Sequence, residues 1–504
     1  LTQGTVGTPA YMAPEQLDRG DAGPAADQYS LCTSLWEALY GQRAFVGDTL
    51  AQLSFRILAG VRSEPPTGVR VPRWLRAVVS RGLAVDPAQR WPSVRALLAA
   101  IEHGRARARR SRIFAGVGML AIAGAAVASA REYDRARRAR ACEAEGTSIA
   151  EVWNDDVAAG VTAALEGTGL PRARVTAERV RPWLDAHARA WQAARTETCL
   201  DARVRGTWDA DTFDRAVWCL DERRMELEVL LAELGSGHPR SVDPAVRSAA
   251  GLGRLEPCRD AAALARLPTP PADAREAIRG VRSELQRAWV LHHAAAYDEG
   301  LPRAAAALTL ARELEWPPAI ASALAMQGVL LTDLGRFAEA EATLEDAFFT
   351  AIRADAIEEA ELAAGELTVL VGSRLERHTE GLRWARHQEV LVSQLPDPLG
   401  LRQARYLHAV GLVRHGKGEY DAVVELQQRA LTLEEAALGP EHPDVALTLT
   451  VIGRAHVALG QHAAAEPWLE RALVVAEAAL GPEHPDVGHS LNDLAMLHSD
   501  KGEF

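Results

Sequence analysis

At 504 residues the chain is too long for a single hydrophobic core, so several folding units are expected. Some 48% of its residues are apolar but only 5% are aromatic, which suits packed helices better than strands rich in β-branched and aromatic side chains. Residues 1–102 carry 10 Arg against 9 acids, residues 103–140 carry 10 Arg against 2, and residues 141–504 are left at a net −21; so large an acidic tail argues against nucleic acid as a partner.

Residues 7–16 read Gly-Thr-Pro-Ala-Tyr-Met-Ala-Pro-Glu-Gln, and Asp27-Gln28-Tyr29-Ser30-Leu31-Cys32 follows. The run Leu35, Trp36, Leu39 continues an apolar helical face until Gly41, and Gln42-Arg43-Ala44-Phe45 comes next. Asp86-Pro87-Ala88-Gln89-Arg90, then Trp91-Pro92, closes the segment. Together these motifs resemble serine/threonine protein kinases from the activation segment to the end of the C-lobe, with Ala44 where that family commonly has Pro. By position, the resemblance makes Gly7, Thr8 and Pro9 the substrate-docking turn and pairs Glu15 with Arg90 as a buried ion pair. It makes Asp27 the carboxylate that supports the catalytic loop. Thr2 and Thr5 fall where activating phosphates are placed, although both also read as ordinary polar loop residues.

Phosphoryl transfer by such an enzyme needs a lysine on the phosphates, a metal-binding Asp and an Asp for the substrate hydroxyl. Here the lysines are Lys417 and Lys501, the first histidine is His103 (followed by Gly104), and Asp-Phe-Gly does not occur. The chain is expected to open in mid-domain, to contain no catalytic residue, and to bind neither ATP nor Mg²⁺. Those cofactors belong to the complete kinase that the resemblance implies.

Residues 113–130 carry no charge and would span about 27 Å as a helix, close to a hydrocarbon core. Five arginines (105, 107, 109, 110, 112) precede the stretch and five (131, 135, 137, 138, 140) follow, able to snorkel to headgroups. Equal flanks give no orientation by the positive-inside rule. The alternative is a buried helix in a wholly cytosolic protein.

Four of the five cysteines, Cys142, Cys199, Cys219 and Cys258, lie beyond this stretch, with Cys32 alone before it. An even number there suggests disulfides in an oxidising compartment, free buried thiols being the alternative. Of three connectivities, Cys142–Cys199 with Cys219–Cys258 is the expected one. The lack of Cys-x-x-Cys spacing argues against zinc. Trp153, Trp183, Trp191, Trp208 and Trp218 fall in the same region and read as core. The region resembles the segment between membrane helix and repeats in multidomain bacterial kinases, particularly those of myxobacteria; no chemistry is assigned to it.

Gly-Pro-Glu-His-Pro-Asp-Val occurs at 439–445 and at 481–487. In the same register Gly411, Gly418, Tyr420 and Ala430 match Gly453, Gly460, His462 and Ala472, and Gly328, Gly335, Phe337 and Ala347 give an earlier unit. These resemble tetratricopeptide repeats in the longer variety of kinesin light chains. Gly328, Gly411 and Gly453 are expected to let paired helices touch backbone to backbone, with degenerate units over 280–314 and 358–400. The final unit stops where its second helix should begin, so that end is expected to fray. His442 and His484 recur in connecting loops and read as structural.

The fold expected is therefore all-α. It comprises a partial kinase C-lobe (1–102), a basic juxtamembrane stretch (103–112), a transmembrane helix (113–130), a helical linker domain (131–270) and a superhelical repeat array (271–504). The function expected is that of a single-pass serine/threonine kinase of the cytoplasmic membrane, seen without its N-lobe and catalytic loop. Its kinase part would be cytoplasmic and its repeats extracytoplasmic, and its partners would be a protein substrate and a peptide or protein in the repeat groove. The rival is a membrane-anchored adaptor carrying a dead kinase remnant.

Overall fold

The computed structural model describes residues 8–19 and 23–502; among them the secondary structure is helical and no strand occurs. The chain divides between Tyr133 and Asp134 into two compact units.

The first unit holds α1 (Pro14–Asp18), α2 (Pro24–Tyr40), α3 (Leu50–Leu58), α4 (Arg73–Gly82) and the start of α5 (Val94–Thr147). Proline at the first position of α1 and α2 costs no hydrogen bond, because those amides have no intrahelical acceptor. Gly41, at φ 70°, closes α2 in the left-handed conformation. Tyr29, Cys32, Trp36, Phe45, Ile57, Val79, Leu83 and Leu97 form the core. Over the most apolar 18 residues of α5 the mean hydropathy is 2.0 and nothing is buried. Phe114, Met119, Leu120 and Ile122 are each more than 70% exposed, so the described residues provide little apolar cover for them.

In the second unit α6 (Asp155–Glu166), α7 (Ala173–Leu200), α8 (Ala210–Leu234), α9 (Ala245–Ala250) and α10 (Ala261–Leu264) pack around Trp191, Leu184, Leu220, Leu227 and Leu230. Asn154 caps α6 by accepting from the Asp156 and Val157 amides, and Asp209 caps α8 through Thr212. Disulfides join Cys142 to Cys199 and Cys219 to Cys258, with Cα–Cα distances of 5.3 and 5.5 Å. Trp153 and Trp191 are buried in this core, Trp183 and Trp208 line its edge, and Trp218 turns instead into the core of the repeats beside Ile278 and Trp316.

Helical hairpins follow: α11 (Arg275–His293) with α12 (Tyr297–Glu313), α13 (Pro317–Asp333) with α14 (Phe337–Arg353), and α15 (Ile357–Val369) with α16 (His378–Gln394). Next come α17 (Leu401–Gly416) with α18 (Tyr420–Leu438), α19 (Pro443–Ala458) with α20 (His462–Leu480), and α21 (Pro485–Lys501). First helices of successive hairpins pack on one another, α11 on α13, α13 on α15 and α15 on α17; they line the inner side of the array. Ala347, Ala430 and Ala472 are fully buried, which lets neighbouring hairpins stack closely.

The reading of Gly328, Gly411 and Gly453 needs correction. A Cβ on Gly328 or Gly453 would lie 2.5 Å from a side-chain carbon of Leu344 or Leu469, and one on Gly411 would lie 2.2 Å from Gln427 Nε2. These glycines chiefly admit a side chain from the second helix; only at Gly453 does its backbone also come near, the Leu469 amide nitrogen lying 3.5 Å from the added Cβ. True backbone contact occurs in the degenerate unit, where a Cβ on Gly381 would sit 2.3 Å from the Gly372 Cα.

The turn inside each hairpin also needs a left-handed residue. Gly335, Gly418 and Gly460 supply it at φ 72°, 74° and 70°, whereas Ala295 and Glu376 hold the equivalent place at φ 52° and 56°. A side chain there costs about 1–2 kcal/mol, against about 0.5–1 kcal/mol for the freer unfolded glycine. Glu376→Gly is therefore expected to stabilise the protein by about 0.5–1 kcal/mol in chemical denaturation; a loss of stability would contradict this account of the turn.

Candidate functional site

Three places bring chemically distinctive groups together. The first surrounds Arg90, which is 2% exposed. Its Nη1 and Nη2 donate to Glu15 Oε1 and Oε2 at 2.7 and 2.8 Å, and the remaining hydrogens go to the carbonyl oxygens of Ala25, Ala84 and Val85. All five donors of the guanidinium are thus satisfied, and its carbon lies 4.7 Å from the centre of the Tyr29 ring. Alongside, the Gln28 amide makes two hydrogen bonds with the Trp91 backbone, so α2 is tied to the closing segment at a second point. Burial pushes the Cys32 thiol up to about 12, which leaves it an inert core residue.

Thr8 is exposed and precedes a short turn of helix starting at Pro9, where the Tyr11 amide donates to the Thr8 carbonyl oxygen. Asp27 lies exposed in the first turn of α2, its carboxylate without a partner among the described residues. Gly7, Thr2 and Thr5 lie outside the described residues. Glu15 and Arg90 are thus brought together, while Thr8, Pro9 and Asp27 stand apart from them on the surface.

The second place is a seam between the linker helices and the repeat loops. His442 and His484 cap α19 and α21, each Nδ1 accepting the amide two residues on, Asp444 or Asp486. With Nδ1 accepting, the His484 proton lies on Nε2, which donates to the Asp243 carbonyl oxygen at 2.9 Å. The His442 ring meets Trp183 edge-on, centroids 5.2 Å apart. Arg247 reaches Asp486 at 2.8 Å and Asp444 at 3.8 Å, and Arg254 donates to the Ala437 carbonyl oxygen at 3.0 Å. Leu480 of the repeats belongs to the linker's core. The sequence marked these histidines as structural but gave no sign of their partner, because nothing periodic distinguishes Trp183, Asp243 or Arg247.

The third place is a cavity of about 410 Å³ between α8 and the first helices α11, α13, α15 and α17. Met225, Leu285, Trp289, Met326, Val329 and Leu362 give it apolar walls; Glu222, Glu226, Glu359 and Glu366 bring carboxylates, and Arg282, Arg405 and His292 are also present. Burial raises the pKa of Glu222, Glu359 and Glu366, partly offset by Arg282 at the first two and by His292 at the third. Sequence reasoning missed this site, whose members come from five helices.

Comparison with known proteins bears on parts of the chain. Residues 402–478 and 456–504 match the family model described as tetratricopeptide repeat. Over 114 residues the chain is 34% identical to the serine/threonine-protein kinase PknE of Mycobacterium tuberculosis, covering 22% of this chain and 20% of that one. Over 97 residues it is 37% identical to the kinase PknD of Chlamydia caviae (19% of this chain, 10% of that one), and over 74 residues 39% identical to the probable kinase PkwA of Thermomonospora curvata (15% and 9%). The chain thus spans about a fifth or less of the length of these curated relatives. Among solved structures, BtubC from P. vanneervenii covers 42% of this chain and 85% of its own at 18% identity and a TM-score of 0.36. A putative kinesin light chain of Podosopora anserina covers 40% and 96% at 15% identity and a TM-score of 0.33. A part of this chain is therefore homologous to bacterial serine/threonine kinases, and its C-terminal part consists of tetratricopeptide repeats.

Two stability predictions follow from these sites. Glu15→Ala leaves the Arg90 guanidinium buried and uncompensated, and is expected to cost roughly 3–5 kcal/mol; an unchanged melting temperature of the first unit would show that the pair does not hold it. In the second unit burial, helped by His292 and Arg247, pulls His293 down to about 4. Its neutral form is favoured by folding, so its contribution is complete above the ordinary value near 6.5 and is lost as the pH falls towards 4. Between pH 7 and 4.5, His293→Gln should reduce the acid-induced loss of stability by about 2–3 kcal/mol in denaturant titrations; an identical loss in both proteins would rule His293 out.

Proposed function

We propose that this chain is part of a single-pass bacterial serine/threonine kinase, contributing the activation-segment end of the C-lobe, a membrane helix and an extracytoplasmic sensing module. The observation that carries the reading is the bidentate Glu15–Arg90 pair, which ties Ala13-Pro14-Glu15 to the closing segment as the kinase resemblance implies. The identity to PknE, PknD and PkwA supports it independently. In the complete protein the reaction would be transfer of the ATP γ-phosphate to Ser or Thr with Mg²⁺.

The residues of this chain do not fit that nucleotide: a phosphate-anchoring lysine, His-Arg-Asp and Asp-Phe-Gly are not in its sequence. No step of the transfer is assigned to it. What the chain offers is support, with Arg90 and Gln28 fixing the segment that leads from the docking turn at Thr8 and Pro9.

The uncharged, uncovered stretch of α5 supports a membrane crossing. The cysteines support the sidedness, with a buried thiol before the stretch and two disulfides after it, as expected for a reducing and an oxidising compartment. A protein ligand fits best on the later hairpins, where exposed Leu447 lines a cavity of about 350 Å³ and Leu491 of α21 is also exposed.

Radiolabelled ATP is expected to give no transfer with the 504-residue chain, and Ser/Thr phosphorylation when kinase segments with the missing motifs precede it in one polypeptide. Transfer by the chain alone, or none by the longer polypeptide, would overturn the reading. For topology, alkaline phosphatase fused after residue 502 should be active in intact bacteria, and inactivity would reverse the orientation.

A further inference from the structure

We propose that the cavity between α8 and the inner helices of the repeats is a binding site for a small aliphatic diamine or polyamine. Glu359, Leu362 and Glu366 stand at i, i+3 and i+7 on α15, so they form one stripe in which two carboxylates flank a leucine. Seven residues of helix separate the carboxylate-bearing positions by about 10 Å along the axis. A flexible chain of methylenes with an ammonium group at each end matches that order of charge, apolar surface and charge.

The charge balance of the cavity points the same way. The arginines that line it are already paired, Arg282 at 2.7 Å from Glu222 and Arg405 at 3.4 Å from Glu361, and Arg223 outside the lining donates to Glu226 at 2.6 Å. Glu359 receives the Ser322 hydroxyl at 3.4 Å and its own backbone amide, with Arg282 acting on it through space. The Glu366 carboxylate has no hydrogen bond or ion pair among the described residues, although its surroundings desolvate it. His292 and Arg405 act on it only through space, so the place of a direct partner is open to a ligand's ammonium group.

Neighbouring residues add further features. His292 places Nε2 2.7 Å from Asp333 Oδ2, so the carboxylate holds the proton on that nitrogen. Its Nδ1 is buried without a partner among the described residues and is open to a further hydrogen bond. Trp289, Leu285, Met326 and Val329 also line the cavity and supply an apolar bed for the methylenes. At about 410 Å³ the cavity is within the range of small-ligand sites. The proposal does not rest on the kinase reading, since it concerns binding by the second unit with no phosphoryl transfer.

The test is calorimetric titration of the full chain in detergent micelles with 1,4-diaminobutane and with spermidine. Saturable binding of one amine per chain is expected. In both Glu359→Gln and Glu366→Gln it should weaken at least about tenfold, while Glu425→Gln, at an exposed position on α18, should bind as the parent does. The uncharged 1,4-butanediol should give no heat. Met326→Trp, which fills the cavity from its apolar wall, should abolish binding and keeps the test decisive if either glutamine variant fails to fold. The proposal is overturned by the absence of saturable heat with both amines, by unchanged affinity in the folded glutamine variants, by equal binding of the diol, or by binding of Lys- and Arg-rich peptides only.

Discussion

The repeat array is closed by the chain that precedes it, and most of what is distinctive in the second unit depends on that contact. A helical hairpin has an apolar stripe that it cannot bury alone, so each repeat relies on its neighbours. Here the inner helices also rely on α8, which packs against α11, and on the short α9, whose Arg247 reaches the first-turn carboxylates of α19 and α21. The repeated Gly-Pro-Glu-His-Pro-Asp-Val loops thus serve twice. Each histidine caps its helix, and the face it turns outward meets the linker, His442 at Trp183 and His484 at Asp243.

The first unit solves the problem of a buried charge differently. Arg90 is enclosed, but its five donors and its planar face each have a partner, so the desolvation of the cation is offset locally. The cavity of the second unit has no such closure. Its carboxylates exceed its available cations, and burial raises the pKa of Glu359 and Glu366 instead. One buried ionic cluster is complete within its unit, as a structural device should be; the other is incomplete in a way that leaves room for a ligand.

The sequence made local structure legible wherever a residue type has a single physical use. Proline at helix starts, glycine at left-handed turns and the spacing of Gly418, Tyr420 and Ala430 placed the well-formed hairpins, and the ion pair of Glu15 with Arg90 was implied by the kinase resemblance. The degenerate hairpins were harder to delimit because Ala295 and Glu376 occupy turn positions that elsewhere hold glycine. Packing was misread at Gly328 and Gly411, where a glycine accommodates either a facing backbone or an inserted side chain and sequence does not distinguish the two. The linker seam and the acidic cavity were invisible because their members are scattered from Trp183 to Asp486 with no shared period.

The closure of the array also changes what its groove can hold. In an open superhelix an extended peptide can run along the inner helices. In this chain such a peptide would meet α8, whose Trp218 is buried in the core of the repeats. Exposing that side chain would cost on the order of a few kcal/mol, and the Cys219–Cys258 bond further restrains the helix. A peptide would have to recover that energy before gaining affinity. The early hairpins are therefore better suited to a compact ligand enclosed beneath α8, and contact with larger partners falls to surfaces that α8 leaves uncovered.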